Sequence, residues 1–238
     1  MKWNGIRNGR VLIAAALVAL ALPVAPAWSQ TVRPVIVEYR GTRVHGKFDL
    51  VNNQLLPVNV IIEPRSFDVT EAGDPVYRPL DRSLTLKLSD MSFRIPPQQS
   101  RTVFFEARAE SVPAWFTIFA TFAGLPRHRG IEIEVELPHT VYMLPKVPLA
   151  AADVRVESAV WDSVAHTVSL RLRNTSGHLG RVLEAQAAAK KERRDAGSFP
   201  LLPHATRTVV IPWKAGVAPS TYRFRFQRFT LEDSVRAG

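Results

Sequence analysis

The stretch Ile131-Glu132-Ile133-Glu134-Val135-Glu136-Leu137 alternates aliphatic and acidic residues without interruption. Successive side chains of a β-strand point to opposite faces. The run therefore puts Ile131, Ile133, Val135 and Leu137 on one side and the glutamates on the other. The glutamate row reads as a solvated acidic face rather than as a carboxylate cluster for acid–base chemistry. The aliphatic row has two readings. Either it fills the core of a closed sandwich, or it lies along an open sheet edge whose unpaired N–H and C=O groups seat a strand of another protein. Pattern alone leaves both open.

The residues before this stretch are strands as well. Val35-Ile36-Val37, Phe48-Asp49-Leu50 and Val58 to Ile62 are rich in β-branched or aromatic residues and are separated by turn formers: Gly41, Gly46, Asn52-Asn53 and Pro57. Ser83 to Leu88 alternates, with Leu84, Leu86 and Leu88 on one face. Phe93-Arg94-Ile95, Thr102 to Ala107 and the aromatic run Trp115 to Phe122 follow. Such closely spaced short strands predict an antiparallel sandwich. Leu144-Pro145-Lys146-Val147-Pro148-Leu149 then reads as a linker, because its two prolines cannot donate to a central ladder. Strand patterning resumes at Val154 to Val156, Thr167 to Arg173, Thr206 to Trp213 and Thr221 to Phe229. Val182 to Arg194 is richer in alanine and favours helix locally. In all-β surroundings it reads as a strand followed by a loop.

Of 238 residues, 46% are hydrophobic, 22% charged and 9% aromatic, a globular rather than a disordered composition. Cysteine is absent, which removes disulfides, Cys-ligated zinc and thiol nucleophiles. The formal charge of +10 raises nucleic acid or an anionic membrane as partner, and the N-terminus decides against the first. Lys2, Arg7 and Arg10 precede an apolar run from Val11 to Val24, broken by Pro23 and Pro26 and followed by the small residues of Ala27-Trp28-Ser29. That is the pattern of a cleaved export signal, and the run falls short of the roughly 20 residues a spanning helix needs. Residues 1–29 are therefore read as a signal peptide, with no membrane span after its removal. Three basic residues leave with it, so 28 cationic side chains face 21 acidic ones, a charge of +7. Cytoplasmic nucleic acid drops out as a partner.

Enzyme chemistry finds no support. His45, His128, His139, His166, His178 and His204 are scattered without metal-ligand spacing and read as surface histidines, so no metal or other cofactor is expected. There is no Gly-x-Ser-x-Gly elbow and no phosphate-cradling loop. Arg171, Arg173, Arg223 and Arg225 leave one binding alternative, a basic sheet face for an anion or polysaccharide.

Several passages in order resemble the PapD-like periplasmic chaperones of the chaperone–usher pathway. They are Phe48-Asp-Leu-Val-Asn52 with Pro57-Val-Asn-Val60, Phe93-Arg-Ile-Pro-Pro97 with Gln99-Ser-Arg-Thr-Val103, and the alternating strand with Val141-Tyr-Met-Leu-Pro145. In the second half they are Ser169 to Thr175 and Phe199-Pro-Leu-Leu-Pro203 before Thr208-Val-Val-Ile-Pro212. The resemblance spans the chain after the signal. It implies an all-β protein of two immunoglobulin-like β-sandwich domains, residues 30–144 and 145–238, located in the periplasm. It also implies pilus or fimbrial subunits and an outer-membrane usher as partners. Ile131, Ile133, Val135 and Leu137 would then be the donor side chains that complete a subunit's fold. The family grips the subunit's terminal carboxylate with a lysine near the end of that strand and an arginine near the first strand. Here Pro138-His139-Thr140-Val141 has no lysine, and Arg43, Lys146 and Arg40 are the candidates. The rival is a structural or adhesive immunoglobulin-like exported protein whose corresponding strand is buried.

Overall fold

The computed structural model describes residues 30–124, 134–190, 192–214 and 217–237. Residues 1–29, read above as an export signal, the stretch 125–130, and Ile131 and Ile133 lie outside the described residues.

The first sandwich comprises β1 (Thr31–Arg33), β2 (Ile36–Arg40), β3 (Arg43–Val51), β4 (Val58–Val69), β5 (Pro75–Pro79), β6 (Leu84–Leu88), β7 (Ser92–Ile95), β8 (Ser100–Ala109), β9 (Ala114–Ala123) and β10 (Val135–Leu144). One sheet runs β1-β3-β8-β6. The other runs β2-β10-β9-β4-β5, with β7 beside β4. The chain passes from the first sheet to the second between β1 and β2, at Pro34. Alternation sends Phe48 and Leu50, Val103 and Phe105, and Phe116, Ile118 and Phe122 into one core.

Asn52 closes that core at one end. Its Nδ2 donates to the carbonyls of Leu56 (2.9 Å), Ile95 (3.2 Å) and Pro96 (3.0 Å), and its Oδ1 accepts from the Gln54 amide at 3.0 Å. A buried asparagine with every polar atom engaged is stable, because desolvation is offset by hydrogen bonds.

After Leu144 comes a segment without strand, then a short 3₁₀ turn (Ala151–Asp153) and a second sandwich. It comprises β11 (Val154–Asp162), β12 (Thr167–Asn174), β13 (Gly180–Ala189), β14 (Glu192–Asp195), β15 (Phe199–Leu201), β16 (Thr206–Pro212), β17 (Thr221–Phe226), β18 (Thr230–Ser234) and β19 (Arg236–Ala237). Its sheets run β16-β12-β11-β19 and β14-β13-β17-β18, with β15 beside β13. Leu170, Leu172, Val182, Phe224 and Trp213 fill its core.

Three expectations are corrected. The segment Val182 to Arg194 is not a strand and a loop but most of a hairpin, since β14 pairs with β13 from Gln186↔Asp195 to Ala189↔Glu192. Small alanines on β13 that favour helix locally are buried against the second core instead, so packing overrides propensity. His139 is not a surface histidine but fully buried. The basic sheet face does not form. Arg171 and Arg173 stand on β12, Arg223 and Arg225 on β17 of the opposite sheet. Arg171 is paired with Glu71 and Glu157, and Arg225 with Glu184.

A third apolar cluster joins the sandwiches. Phe67 and Tyr142 from the first pack with Leu179 and Leu202 from the second, flanked by Val69, Trp115, Leu144 and Ala205. The Trp115 indole N–H donates to the Phe67 carbonyl at 2.7 Å, which fixes one wall of this hinge core.

Candidate functional site: an open strand edge and the cleft beside it

The alternating strand is an edge over half its length. From Val135 to Met143, β10 pairs with β9 without a register shift, but β2 joins its outer side only from Thr140 onward. Among the described residues, no strand pairs with the outer edge of residues 135–138. Which backbone groups face that edge follows from parity. The Thr140 amide donates outward to the Val35 carbonyl at 2.7 Å, and the Leu144 carbonyl accepts from the Gly41 amide at 3.0 Å. Even-numbered residues of β10 therefore turn their N–H and C=O groups to the open side. Glu136 offers both groups there. Pro138 offers only its carbonyl, and an edge is where a strand tolerates proline.

Side chains alternate across the same strand. Val135 and Leu137 share a face with His139, Val141 and Met143, and both are half-buried against the first core. They are neither fully buried nor free. On the other face Glu134 is exposed, while Glu136 Oε1 lies 3.1 Å from Arg65 Nη2, so the expected acidic face is partly neutralised.

His139 anchors the inner end of the open edge. Its Nδ1 donates to the Pro34 carbonyl at 2.6 Å, at the point where the chain changes sheets. Its ring stacks on Phe48 with centroids 4.7 Å apart and meets Phe105 edge-on at 5.7 Å. Its Nε2 is buried without a partner. Burial pushes its pKa down, against a smaller opposing effect of the hydrogen bond to Pro34.

The inner end of β10 leads into a cleft between the sandwiches, a cavity of about 280 Å³. Ile36, Leu144, Leu149, Leu179 and Phe229 give it apolar walls. Glu38, Arg40, Arg181 and Arg228 give it charge. Arg181 Nη1 meets Glu38 Oε1 at 3.2 Å across the domain boundary. Arg40 Nη1 donates to the carbonyls of Pro145 and Lys146, each at 3.1 Å, and so ties β2 to the linker. Gly180 lets the linker approach: a Cβ there would stand 2.3 Å from Leu149 Cδ2. Burial pushes the Tyr142 hydroxyl up to about 12, opposed by the nearby Arg181.

Of the candidate anchors, Arg40 lines the cleft. Lys146 is exposed in the linker and enters the hydrogen-bond network only through its carbonyl. Arg43 is exposed at the start of β3, with Nε 3.9 Å from Glu106 Oε1, and is not among the cleft's lining residues. Glu38 and Arg181 escaped the sequence reading because only the docking of two domains brings β2 and β13 together, and no motif carries that. Among the described residues, no three His, Asp or Glu side chains are grouped to hold a metal, and no helix is long and apolar enough to cross a membrane.

No protein-family model matches the chain, and no curated protein matches it by sequence. Solved structures do. The YadV chaperone aligns with a TM-score of 0.55 at 12% identity, over 87% of this chain and 99% of its own. A chain of the Salmonella enterica SafA pilin–SafB chaperone complex aligns at 0.56 and 11%, over 89% and 98%. One from the CsuC–CsuE chaperone–tip adhesion subunit complex of the archaic Csu pili of Acinetobacter baumannii aligns at 0.52 and 10%, over 88% and 99%. The chain has the two-sandwich fold of these pilus chaperones. At this identity the likeness is one of fold, and it spans nearly the whole of each of those chains.

Proposed function

We propose that this chain is a non-enzymatic periplasmic chaperone of pilus or fimbrial subunits, exported by the signal at residues 1–29. In this reading residues 30–144 hold the subunit through the 131–137 strand, residues 145–238 form the second wall of the cleft, and the captured subunit is handed to an outer-membrane usher. The observation that carries it is the open outer edge of β10 at residues 135–138, with Val135 and Leu137 half-buried beside it. A docked strand would pair with the free groups of Glu136 and the Pro138 carbonyl and would cover the exposed parts of the aliphatic row. Full burial of one such side chain is worth about 1.5–3 kcal/mol, so completing the burial of Val135 and Leu137 would add a part of that to main-chain pairing. The SafA–SafB and CsuC–CsuE structures are complexes of a chaperone with a subunit, and they share this fold. The half-burial of Val135 and Leu137 favours this reading over a structural immunoglobulin-like protein whose corresponding strand is buried.

Arg40 is the best placed of the three candidate anchors for a subunit's terminal carboxylate, since it already stands in the cleft beside Arg181. The test is co-expression with pilus subunits encoded next to this chain. Ile133→Asp and Val135→Asp should each abolish co-purification while the isolated monomer still folds and unfolds cooperatively. Unfolding of both monomers would place the row in the core and sink the donor-strand reading. Arg40→Glu should weaken capture more than Arg43→Glu or Lys146→Glu; equal or no effect from the three would remove Arg40 as the anchor.

A further inference from the structure

The tip of the hairpin between β4 and β5 leaves the first sandwich and lies on the second. Thr70 shapes it, its Oγ1 accepting from the amides of Gly73 (3.1 Å) and Asp74 (3.0 Å). That turn presents Glu71 to the edge strand β16. The Glu71 carbonyl accepts from the Thr208 amide at 2.8 Å, and Glu71 Oε1 accepts from Thr208 Oγ1 at 2.8 Å. Arg171 Nε on the neighbouring β12 stands 3.0 Å from the same carboxylate oxygen. Because the Thr208 amide points away from β12, the hairpin satisfies one backbone donor on the outer edge of β16 across the domain boundary.

Gly73 completes the fit. It adopts a φ of +103°, which favours glycine, and a Cβ there would fall 1.4 Å from Arg207 Nη1, so a larger residue would also displace that guanidinium from the hairpin backbone. Arg207 Nη1 in turn reaches the Glu71 carbonyl at 3.4 Å, and its guanidinium lies 5.3 Å from the centre of the Phe199 ring.

These contacts stand at one end of a continuous line. Leu144 and Leu179 belong both to the cleft wall and to the hinge core, and Phe67 and Val69 lead from the hinge core along β4 towards the hairpin tip. Apolar packing in the hinge core is non-directional and tolerates rocking, whereas hydrogen bonds and ion pairs impose direction. We propose that Glu71 is a positioning residue, a strut that fixes the angle between the two sandwiches and thereby the spacing of Arg40 and Arg181 across the cleft. Its importance for partner capture rests on the chaperone reading above; the strut itself does not.

The absence of cysteine permits a direct test in the full chain. Leu55→Cys in the first sandwich and Val164→Cys in the second, both highly exposed, accept nitroxide labels whose separation is read by pulsed electron paramagnetic resonance. Glu71→Lys and, separately, Thr208→Val should broaden the distance distribution while the melting temperature stays within a degree or so, because Glu71 is exposed and outside both cores. An unchanged distribution in Glu71→Lys overturns the strut. Capture of a co-expressed subunit should fall by about threefold in the same variant, the scale of one such polar contact. A broadened distribution with unchanged capture overturns the positioning role. A wild-type chain that captures no subunit refutes the chaperone reading instead, and the label distances still decide the strut.

Discussion

Asn52 and Asn174 occupy corresponding places in the two sandwiches. Asn174 Nδ2 donates to the carbonyls of His178 (2.6 Å) and Leu202 (3.0 Å), and its Oδ1 accepts from the Ser176 amide at 3.0 Å, much as Asn52 bridges Leu56, Ile95 and Pro96. Each stands at the end of a core strand, Asn52 just after β3 and Asn174 as the last residue of β12, and each pins the loop that follows to the opposite sheet. The edges differ. In the second sandwich β14 is Glu-Arg-Arg-Asp, fully exposed and charged, β18 carries Glu232 and Asp233, and β16 is covered at Thr208 by the hairpin from the first sandwich. Charge and cover are how folds prevent unwanted strand pairing. In the first sandwich, no strand among the described residues covers 135–138, and the inner row there, Val135 and Leu137, is uncharged. The shared clamp belongs to the architecture, and the open edge at 135–138 is where the first sandwich departs from the second.

The comparison breaks first if the clamps are not equivalent. Asn52→Ala strands three buried or half-buried carbonyls, and Asn174→Ala strands a similar set. Each should lower the stability of its own sandwich by roughly 3 kcal/mol, since an unsatisfied buried polar group costs about 1–3 kcal/mol. Urea unfolding followed by tryptophan fluorescence measures both. A cost below about 1 kcal/mol at either site would show that water or loop movement replaces the clamp there.

Acid sharpens the comparison next. His139 is buried in the first core, whereas His166 and His204 are exposed and His178 is half-exposed in the second sandwich. Burial lowers the His139 pKa below the ordinary value of 6.5, so between the two values the unfolded chain binds the proton that the folded chain refuses. The contribution of the neutral ring is therefore complete above pH 6.5 and is lost as pH falls towards the folded-state pKa. The slope is at most about 1.4 kcal/mol per pH unit. Unfolding the first sandwich at pH 7.5 and at pH 5 should show this loss, and His139→Leu should flatten it. Equal acid sensitivity in the two proteins would assign the effect to carboxylates instead.

Much of this was readable before any coordinates, and the parts that were not share a cause. Period-two alternation in Leu84 to Leu88 and Thr167 to Arg173 identifies strands because a half-buried strand imposes that period directly, and of the run from 131 to 137 the described part, Val135 to Leu137, lies in β10. Asn52 and Asn174 lay within the passages that carried the family resemblance, but their clamping role depends on loops that are distant in sequence. Val182 to Arg194 misled because alanine on β13 reports local propensity, while its burial against the second core reports packing. His139 misled because an isolated histidine carries no periodicity of its own. Arg181 and Glu38 were silent for a stronger reason: their pairing exists only after two domains dock. Chemistry that depends on one strand is visible in one sequence; chemistry assembled across a cleft is not.

The smallest expected effect concerns the face of β10 that carries Glu136. Arg65 Nη2 lies 2.6 Å from Glu63 Oε2 and 3.1 Å from Glu136 Oε1, with its guanidinium 4.8 Å from the centre of the Phe119 ring. Tyr77 closes the other side of that ring edge-on, with centroids 4.9 Å apart. The hydrogen bond from Arg65 holds the Glu63 carboxyl below its ordinary pKa and raises that of Arg65. The second sandwich offers a control, Arg225 Nε at 3.0 Å from Glu184 Oε2, also across neighbouring strands and, among the described residues, without an aromatic ring under its guanidinium. Exposed pairs of this kind contribute about 0.2–1 kcal/mol and weaken in salt, and a partly exposed cation over a ring adds about 0.5–1 kcal/mol. Double-mutant cycles should therefore give a coupling near 0.5 kcal/mol for Arg225–Glu184 and about twice that for Arg65–Glu136 when both are measured at low salt. Salt should remove most of the first and only part of the second, because dispersion and desolvation at the ring are not screened. If the two couplings are equal and vanish together in salt, the ring does not help Arg65 hold Glu136, and the flat presentation of the open edge rests on pairing with β9 alone.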